Sequence, residues 1–236
     1  MRKIIITAGG TSERIDNVRK ITNSSSGKLG MTIANHLLEK REDIFIYYIC
    51  SKNSLRPNNE RVKVIEIEGT ISLKKAVENL LSNEKIDYFI HSMAVSDYMT
   101  DYITTIDKIK QSLERSESIE KAFLNVETLN ESKISSYMDS LVIVLKRTPK
   151  IISIIKELSP LTYLIGFKLL DGASKEELIS AAKKLRDKNN CDLVIANDLS
   201  NIRNGEHKAY IIDKDDEIDE AHNKDDIARK LVRRIV

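Results

Sequence analysis

The sequence predicts an α/β fold, a parallel sheet covered by helices on both faces. Three observations carry that expectation. Apolar runs of strand length alternate with amphipathic stretches of helix length along most of the 236 residues. The helical stretches carry start signals, among them Thr148-Pro149 and the Ser174/Glu177 pair. The first apolar run, Lys3–Thr7, feeds straight into a Gly9-Gly10-Thr11 turn, and a second turn of small residues, Ser24–Gly27, opens a helix. Two such turns beside a buried strand expose backbone N–H groups, which with a helix N-terminus suit an anionic phosphate.

The elements follow in order. Lys3–Thr7 reads as a strand, and Lys28–Glu39 as a helix with Leu29, Ile33 and Leu37 on one stripe. Ile44–Ile49 and Val62–Ile67 are the second and third strands. Thr70 is positioned to cap a helix to Leu81, with Leu73, Val77 and Leu80 inward. Ile86–His91 and Leu141–Leu145 are the fourth and fifth strands. Thr148 supplies an N-cap and Pro149 the first helical position of a helix to about Leu158. Leu161–Phe167 is the sixth strand. The capping-box pair precedes a helix over 175–188, with Leu178, Ala181, Ala182 and Leu185 at helical spacing. Asp192–Ala196 is the seventh strand, 207–219 a small C-terminal hairpin, and Lys224–Ile235 a closing helix. Residues 99–139 break the pattern: they are polar and weakly periodic, with a short helix at 118–129, and read as a flexible flap inserted into a single domain spanning 1–236.

Composition narrows the function. The 38 basic and 36 acidic residues nearly cancel, leaving +2, which argues against a nucleic-acid binder. Cys50 and Cys191 lie far apart in or beside apolar runs and read as buried free thiols. No signal peptide precedes the first strand and no apolar run approaches ~20 residues, so a soluble cytoplasmic protein with no membrane partner is expected. None of the four histidines sits in a catalytic motif, and no metal-ligand cluster is visible.

The glycine turns fit neither common phosphate fingerprint. Before Gly27-Lys28, Thr22 stands where a P-loop has its first glycine, and Leu29 replaces the magnesium-binding Ser/Thr. Gly9 and Gly10, followed by Ser12 and Arg14, do not form the dinucleotide pattern. Asn23 lies between the turns; its amide offers donors and an acceptor, though a turn-forming role explains it equally. Arg19 could grip a carboxylate or phosphate bidentately. Asp97, after the fourth strand, could accept from ribose hydroxyls. Phe167 could stack on a base or pack in the core. Lys184 and Lys188 share a helix face, as phosphate ligands or as a solvated stripe. The Tyr48/Lys52 spacing of a short-chain dehydrogenase falls at a strand end and reads as chance. An NAD(P)-dependent reductase would want an acid at the end of the second strand, which instead ends Tyr48-Ile49-Cys50-Ser51.

Together the segments ITAGGTSERIDNVRKITNSSSGKLG (5–30), SMAVSDY (92–98), SKISS (132–136), LKRTPKII (145–152), GFKLLDG (166–172) and DLVIANDLS (192–200) resemble the phosphopantothenate–cysteine ligase family, most nearly its monofunctional, CTP-using bacterial form. The resemblance implies a Rossmann-like sheet and a two-step reaction in coenzyme A biosynthesis. The carboxylate of 4′-phosphopantothenate attacks the α-phosphorus of CTP, and cysteine then displaces CMP from the acyl-cytidylate. It implies that Asn23 and Lys133 are catalytic, Lys133 through a mobile flap. Gly9, Gly10, Thr11, Ser25, Ser26, Gly27, Ala94, Asp97, Pro149, Lys150, Ile151, Phe167, Lys184 and Lys188 would meet the nucleotide, and Arg19 with Asn23 the acyl substrate. Mg2+ would accompany CTP, and the enzyme would be a homodimer. Bifunctional relatives carry a flavin-containing decarboxylase ahead of this domain; here a separate decarboxylase is expected. The residues alone do not separate CTP from ATP.

Overall fold

Ile4, Ile5 and Ile6 are consecutive and all fully buried, which requires a strand with a helical layer on each side. That strand lies inside an eight-stranded sheet in a computed structural model that describes residues 1–203 and 207–235. In chain order the elements are β1 (Arg2–Ala8), β2 (Ser12–Arg14), β3 (Lys20–Thr22), α1 (Lys28–Lys40), β4 (Ile44–Ser51), β5 (Val62–Ile67), α2 (Thr70–Asn83) and β6 (Tyr88–His91). Then come β7 (Tyr98–Thr104), α3 (Ile106–Glu114), α4 (Ile119–Leu124), β8 (Val142–Arg147), α5 (Ile151–Leu158), β9 (Tyr163–Leu170) and α6 (Lys175–Asn189). The chain closes with β10 (Leu193–Asp198), α7 (Leu199–Arg203), β11 (Ala209–Asp213), β12 (Ile218–Ala221) and α8 (Lys224–Ile235).

The sheet order is β12-β11-β10-β9-β6-β1-β4-β5. The six strands from β10 to β5 are parallel, and β11 and β12 add antiparallel at one edge. The predicted hairpin therefore makes the sheet mixed. On one face α1 and α8 bury Ile33, Leu37, Ile227 and Leu231 against Ile4, Ile6 and Tyr48. On the other, α2, α5 and α6 bury Leu73, Val77, Ile155 and Leu178 against Ile5 and Phe89. Cys50 and Cys191 are buried and free, and burial raises both thiol pKa values, Cys191 to about 12.

Several elements depart from the sequence expectation. The predicted fifth strand is absent from the main sheet. As β8 it pairs antiparallel with β7 in a separate ribbon that closes the insertion at its base. Its Val-Ile-Val-Leu run looks like a buried strand but is half-exposed. The insertion is not structureless either: α3 and α4 pack together, Ser112 Oγ donating to Ala122 O at 2.8 Å. The helix expected at 118–129 stops at Leu124. The strand expected to end at Phe167 runs on to Leu170, and the short β2–β3 ribbon carried no periodic signal.

Two caps are also made differently. Thr70 is the first helical residue, and the carboxylate of Glu13, on β2, accepts its N–H at 2.8 Å and its hydroxyl at 2.7 Å. Thr148 Oγ1 donates to Ser96 O at 2.6 Å, so α5 starts at Ile151 with Lys150 at its N-cap. The capping box at Ser174/Glu177 forms as expected.

Candidate functional site

After β1 the chain builds the sheet outward to β4 and β5, then returns to place β6 on the other side of β1. The crevice above the carboxyl ends of β1 and β6 is thus a topological switch point, where open α/β sheets take their ligands. Three predicted segments meet there. Ala94 donates its N–H to Gly9 O at 2.8 Å, and Thr11 donates to Ala94 O at 3.1 Å. Thr11 Oγ1 accepts the Ser96 N–H at 2.9 Å, and Thr11 O accepts the Asn23 N–H at 3.1 Å. Thr11 is fully buried, so it ties the Gly-Gly turn to the 92–98 segment and to Asn23. Both glycines are sterically required. Gly9 has φ +84°, and a Cβ there would sit 1.8 Å from Ser54 Oγ; on Gly10 it would sit 1.8 Å from Asn23 O.

Asn23 is half-buried, and its side-chain amide has no hydrogen-bond partner among the described residues. Ser25 and Ser26 beside it are exposed. Ser26 O accepts the Leu55 N–H at 2.9 Å, and Ser26 Oγ accepts the Lys28 N–H at 3.3 Å. Gly27 takes a left-handed conformation at the N-cap of α1.

The four crossover helices differ at this edge. The first turn of α2 already faces the Glu13 carboxylate, and that of α6 holds Glu176 and Glu177. The first turns of α1 and α5 hold no acidic residue, and neither N-cap residue supplies a side-chain bond. A helix N-terminus carries roughly half a positive charge, so α1 and α5 are the two that favour an added anion. Pro149, Lys150 and Ile151 lead into α5. Lys150 forms an ion pair with Asp97, both side chains being largely exposed, and Thr148 N donates to Asp97 O at 3.0 Å.

Phe167 pairs with Ile195 of β10 but lies just beyond the last β6 partner, Gly166, and packs on the α1 face. Lys184 and Lys188 are exposed on α6, which covers the opposite face. They lie about 13 and 19 Å along that helix from Lys175 at 1.5 Å per residue. Since α6 runs antiparallel to the strands, the pair sits toward their amino ends. The structure does not bring it together with Phe167 or the glycine turns.

Lys133 is exposed, but its neighbours are anchored. Asn17 N donates to Ser132 O at 3.0 Å, and Ile134 N donates to Asp16 Oδ2 at 3.2 Å. Arg19 Nη1 and Nη2 both reach Ile134 O at 3.3 Å, and Nη1 pairs with Asp16 at 3.0 Å. In this conformation Arg19 holds the flap segment. Asp16 carries no signal in the sequence, since a lone Asp in a loop has many uses. Its pKa is lowered: burial opposes that, but the N–H groups of Arg19, Val18 and Ile134 and the Arg19 charge outweigh it. Asp198 was likewise missed. Ser200 Oγ and the N–H groups of Ala173, Ser200 and Gly172 hold its pKa down at about 2 against burial, fixing the loop ahead of α6. Tyr48, matched to Lys52 by spacing alone, donates to Leu55 O at 3.0 Å inside the core. No helix among the described residues is long and apolar enough to cross a membrane.

Comparison with known proteins adds to this geometry. The structure of the DNA/pantothenate metabolism flavoprotein from Streptococcus pneumoniae is 36% identical, with a TM-score of 0.86 over 100% of this chain and 98% of that one. The C-terminal domain of a coenzyme A biosynthesis bifunctional protein CoaBC matches at 25% identity and a TM-score of 0.71, covering 99% and 93%. The curated CoaBC of Thermococcus kodakarensis is 34% identical over 91% of this chain and 45% of its own length, so the chain spans about half of that relative. The family profile described as "DNA/pantothenate metabolism flavoprotein C-terminal domain" matches residues 1–123 and 122–236. With both halves of the chain matched, this protein belongs to that family.

Proposed function

We propose that this chain is a phosphopantothenate–cysteine ligase acting in coenzyme A biosynthesis. The observation that carries the reading is that the Asn23 backbone is tied through Thr11 to the Gly9-Gly10 turn and the 92–98 segment, at the sheet edge where the α1 and α5 N-termini lack acidic partners, while the segment bearing Lys133 docks on the turn that leads to Asn23. Its relatives named for coenzyme A biosynthesis support it. A carboxylate does not react with an amine at neutral pH because its leaving group would be oxide; an acyl-nucleotide has a good one. In the first step a carboxylate oxygen of 4′-phosphopantothenate bonds to the α-phosphorus of the nucleotide as the bond to pyrophosphate breaks. In the second the cysteine amine attacks the acyl carbon, the nucleoside monophosphate leaves, and the amine loses its proton.

The work left to the protein is positioning and charge stabilisation. Asn23 would hold the acyl-nucleotide, and Lys133 would neutralise charge developing at phosphorus. The α1 turn with Gly9, Gly10, Ser25, Ser26 and Gly27 would cradle phosphate, while Ala94, Asp97, Lys150 and Phe167 face the nucleoside. CTP as the nucleotide, a homodimer, cytoplasmic location and a separate decarboxylase belong to the same proposal. No group of three His, Cys, Asp or Glu that could hold a metal is present among the described residues. Mg2+ carried in on the triphosphate belongs to the same proposal.

The test is pyrophosphate release with phosphopantothenate, cysteine and either CTP or ATP. Release with CTP supports the ligase reading and its nucleotide, and release with ATP alone corrects the nucleotide. None with either overturns it. Asn23→Asp should still form the acyl-nucleotide but turn it over poorly, because a carboxylate repels the phosphate. Full turnover would remove the role assigned to Asn23.

A further inference from the structure

Residue 133 is bracketed on both sides by contacts to a single turn. Ser132 O accepts from Asn17 N, Ile134 N donates to Asp16, and Ile134 O accepts from the Arg19 guanidinium. Ile134 is 1% exposed, so its burial anchors the segment as well. The organising group is the Asp16 carboxylate, whose side chain is also 1% exposed. Its Oδ1 accepts the Val18 and Arg19 N–H groups at 2.8 and 2.7 Å, which shapes the turn. Its Oδ2 accepts from Ile134 N and from Arg19 Nη1, which docks the distant segment and orients the arginine. Four residues after Arg19, along β3, the same stretch of chain ends at Asn23.

We infer that Asp16 is a positioning residue: it docks the 132–134 segment onto the turn leading to Asn23 and so sets where Lys133 stands relative to that amide. The inference rests on the ligase reading for its catalytic consequence, though not for the docking itself. Only an ionised carboxylate serves all four donors. In Asp16→Asn, Oδ1 still accepts from the turn, but an NH2 group would face the Ile134 N–H and the Arg19 guanidinium, donor against donor. The turn is retained and the distant segment is released.

The experiment has two arms on the full chain. Hydrogen exchange of the free protein should show Ile134 protected in the wild type and exchanging at least about tenfold faster in Asp16→Asn. An Ile134 amide that exchanges without protection in the wild type overturns the docking. In the pyrophosphate assay Asp16→Asn should lower kcat about 10²-fold, the effect of an ångström-scale misplacement, with nucleotide KM little changed. Added to Lys133→Gln, it should cost less than about threefold, because the group it positions is already gone. Full multiplicative loss in that background, or an unchanged kcat in the single variant, overturns the positioning role. If Asp16→Asn does not fold, Ile134→Ala undocks the same segment from within the insertion and is expected to give the same pattern. A wild-type chain without ligase activity overturns the functional reading and leaves exchange to decide the docking.

Discussion

Gly10→Ala isolates the placement of Asn23. The added Cβ would lie 1.8 Å from Asn23 O and 2.9 Å from Asn23 C, both backbone atoms with no rotamer to move. Real Cβ atoms keep about 3.0 Å from such neighbours, so the two segments must separate by about 1.2 Å. That shift strains the 3.1 Å bond from Asn23 N to Thr11 O, a contact of order 1 kcal/mol. Overpacking of this kind costs ~1–3 kcal/mol in all; about 2 kcal/mol in a chain of this length lowers Tm by roughly 4–8 °C. The displacement of the amide should lower kcat about 10²-fold, since that is what an ångström of misplacement costs. Gly172→Ala is the comparison. Gly172 has φ +69° but no atom within 4 Å of the added Cβ, so it meets backbone strain alone, ~1–2 kcal/mol. Thermal melts and pyrophosphate release on both variants decide the matter. A folded Gly10→Ala protein with kcat within threefold of wild type would refute the reasoning.

Further outcomes follow from the same geometry. Lys133→Gln should slow turnover by ~10²–10³-fold, as loss of one oxyanion donor does; an unchanged rate in single-turnover measurements would remove Lys133 from the chemistry. Asp198 has a folded pKa of about 2, below its ordinary 3.8, so its stabilisation is complete above about pH 4 and is lost as pH falls toward 2. The Tm gap between wild type and Asp198→Asn should therefore narrow across that window, and a gap constant from pH 6 to 2 would contradict it. Lys184→Ala with Lys188→Ala should leave nucleotide KM within about twofold, because the pair lies on the face away from Phe167 and α1. A tenfold rise would return these lysines to the phosphate site.

Legibility in the sequence followed periodicity. The parallel strands and their helices could be read because burial on both faces writes continuous apolar runs such as Ile4-Ile5-Ile6, and burial on one face writes the Leu73/Val77 stripe. The run at 142–147 misled because hydrophobicity does not say which sheet a strand joins; its partner, β7, lies across the whole insertion. The caps at Thr70 and Thr148 misled because a local rule cannot foresee a distant competitor, Glu13 in one case and Ser96 O in the other. The glycine turns and Asn23 were visible as small-residue segments. Asp16 was not, since its meaning depends on Ile134, 118 positions away.

The near-neutral composition conceals the electrostatics of the crevice for the same reason. A carboxylate that accepts several backbone N–H bonds spends its charge locally and repels an incoming anion less. Glu13 is committed to α2, Glu177 to α6, Asp198 to the 172–173 loop and Asp16 to the flap docking. Asp97, the remaining carboxylate beside the Gly10–Ala94 bridge, faces Lys150. These acids thus each have a protein partner, while the first turns of α1 and α5 hold no acidic residue and Lys28 and Lys133 have no acidic partner among the described residues. A formal charge of only +2 is therefore compatible with an anion at the α1 and α5 N-termini. Under the proposed function a triphosphate would bind there, and the room for it would arise from where the acids are engaged, not from how many bases there are.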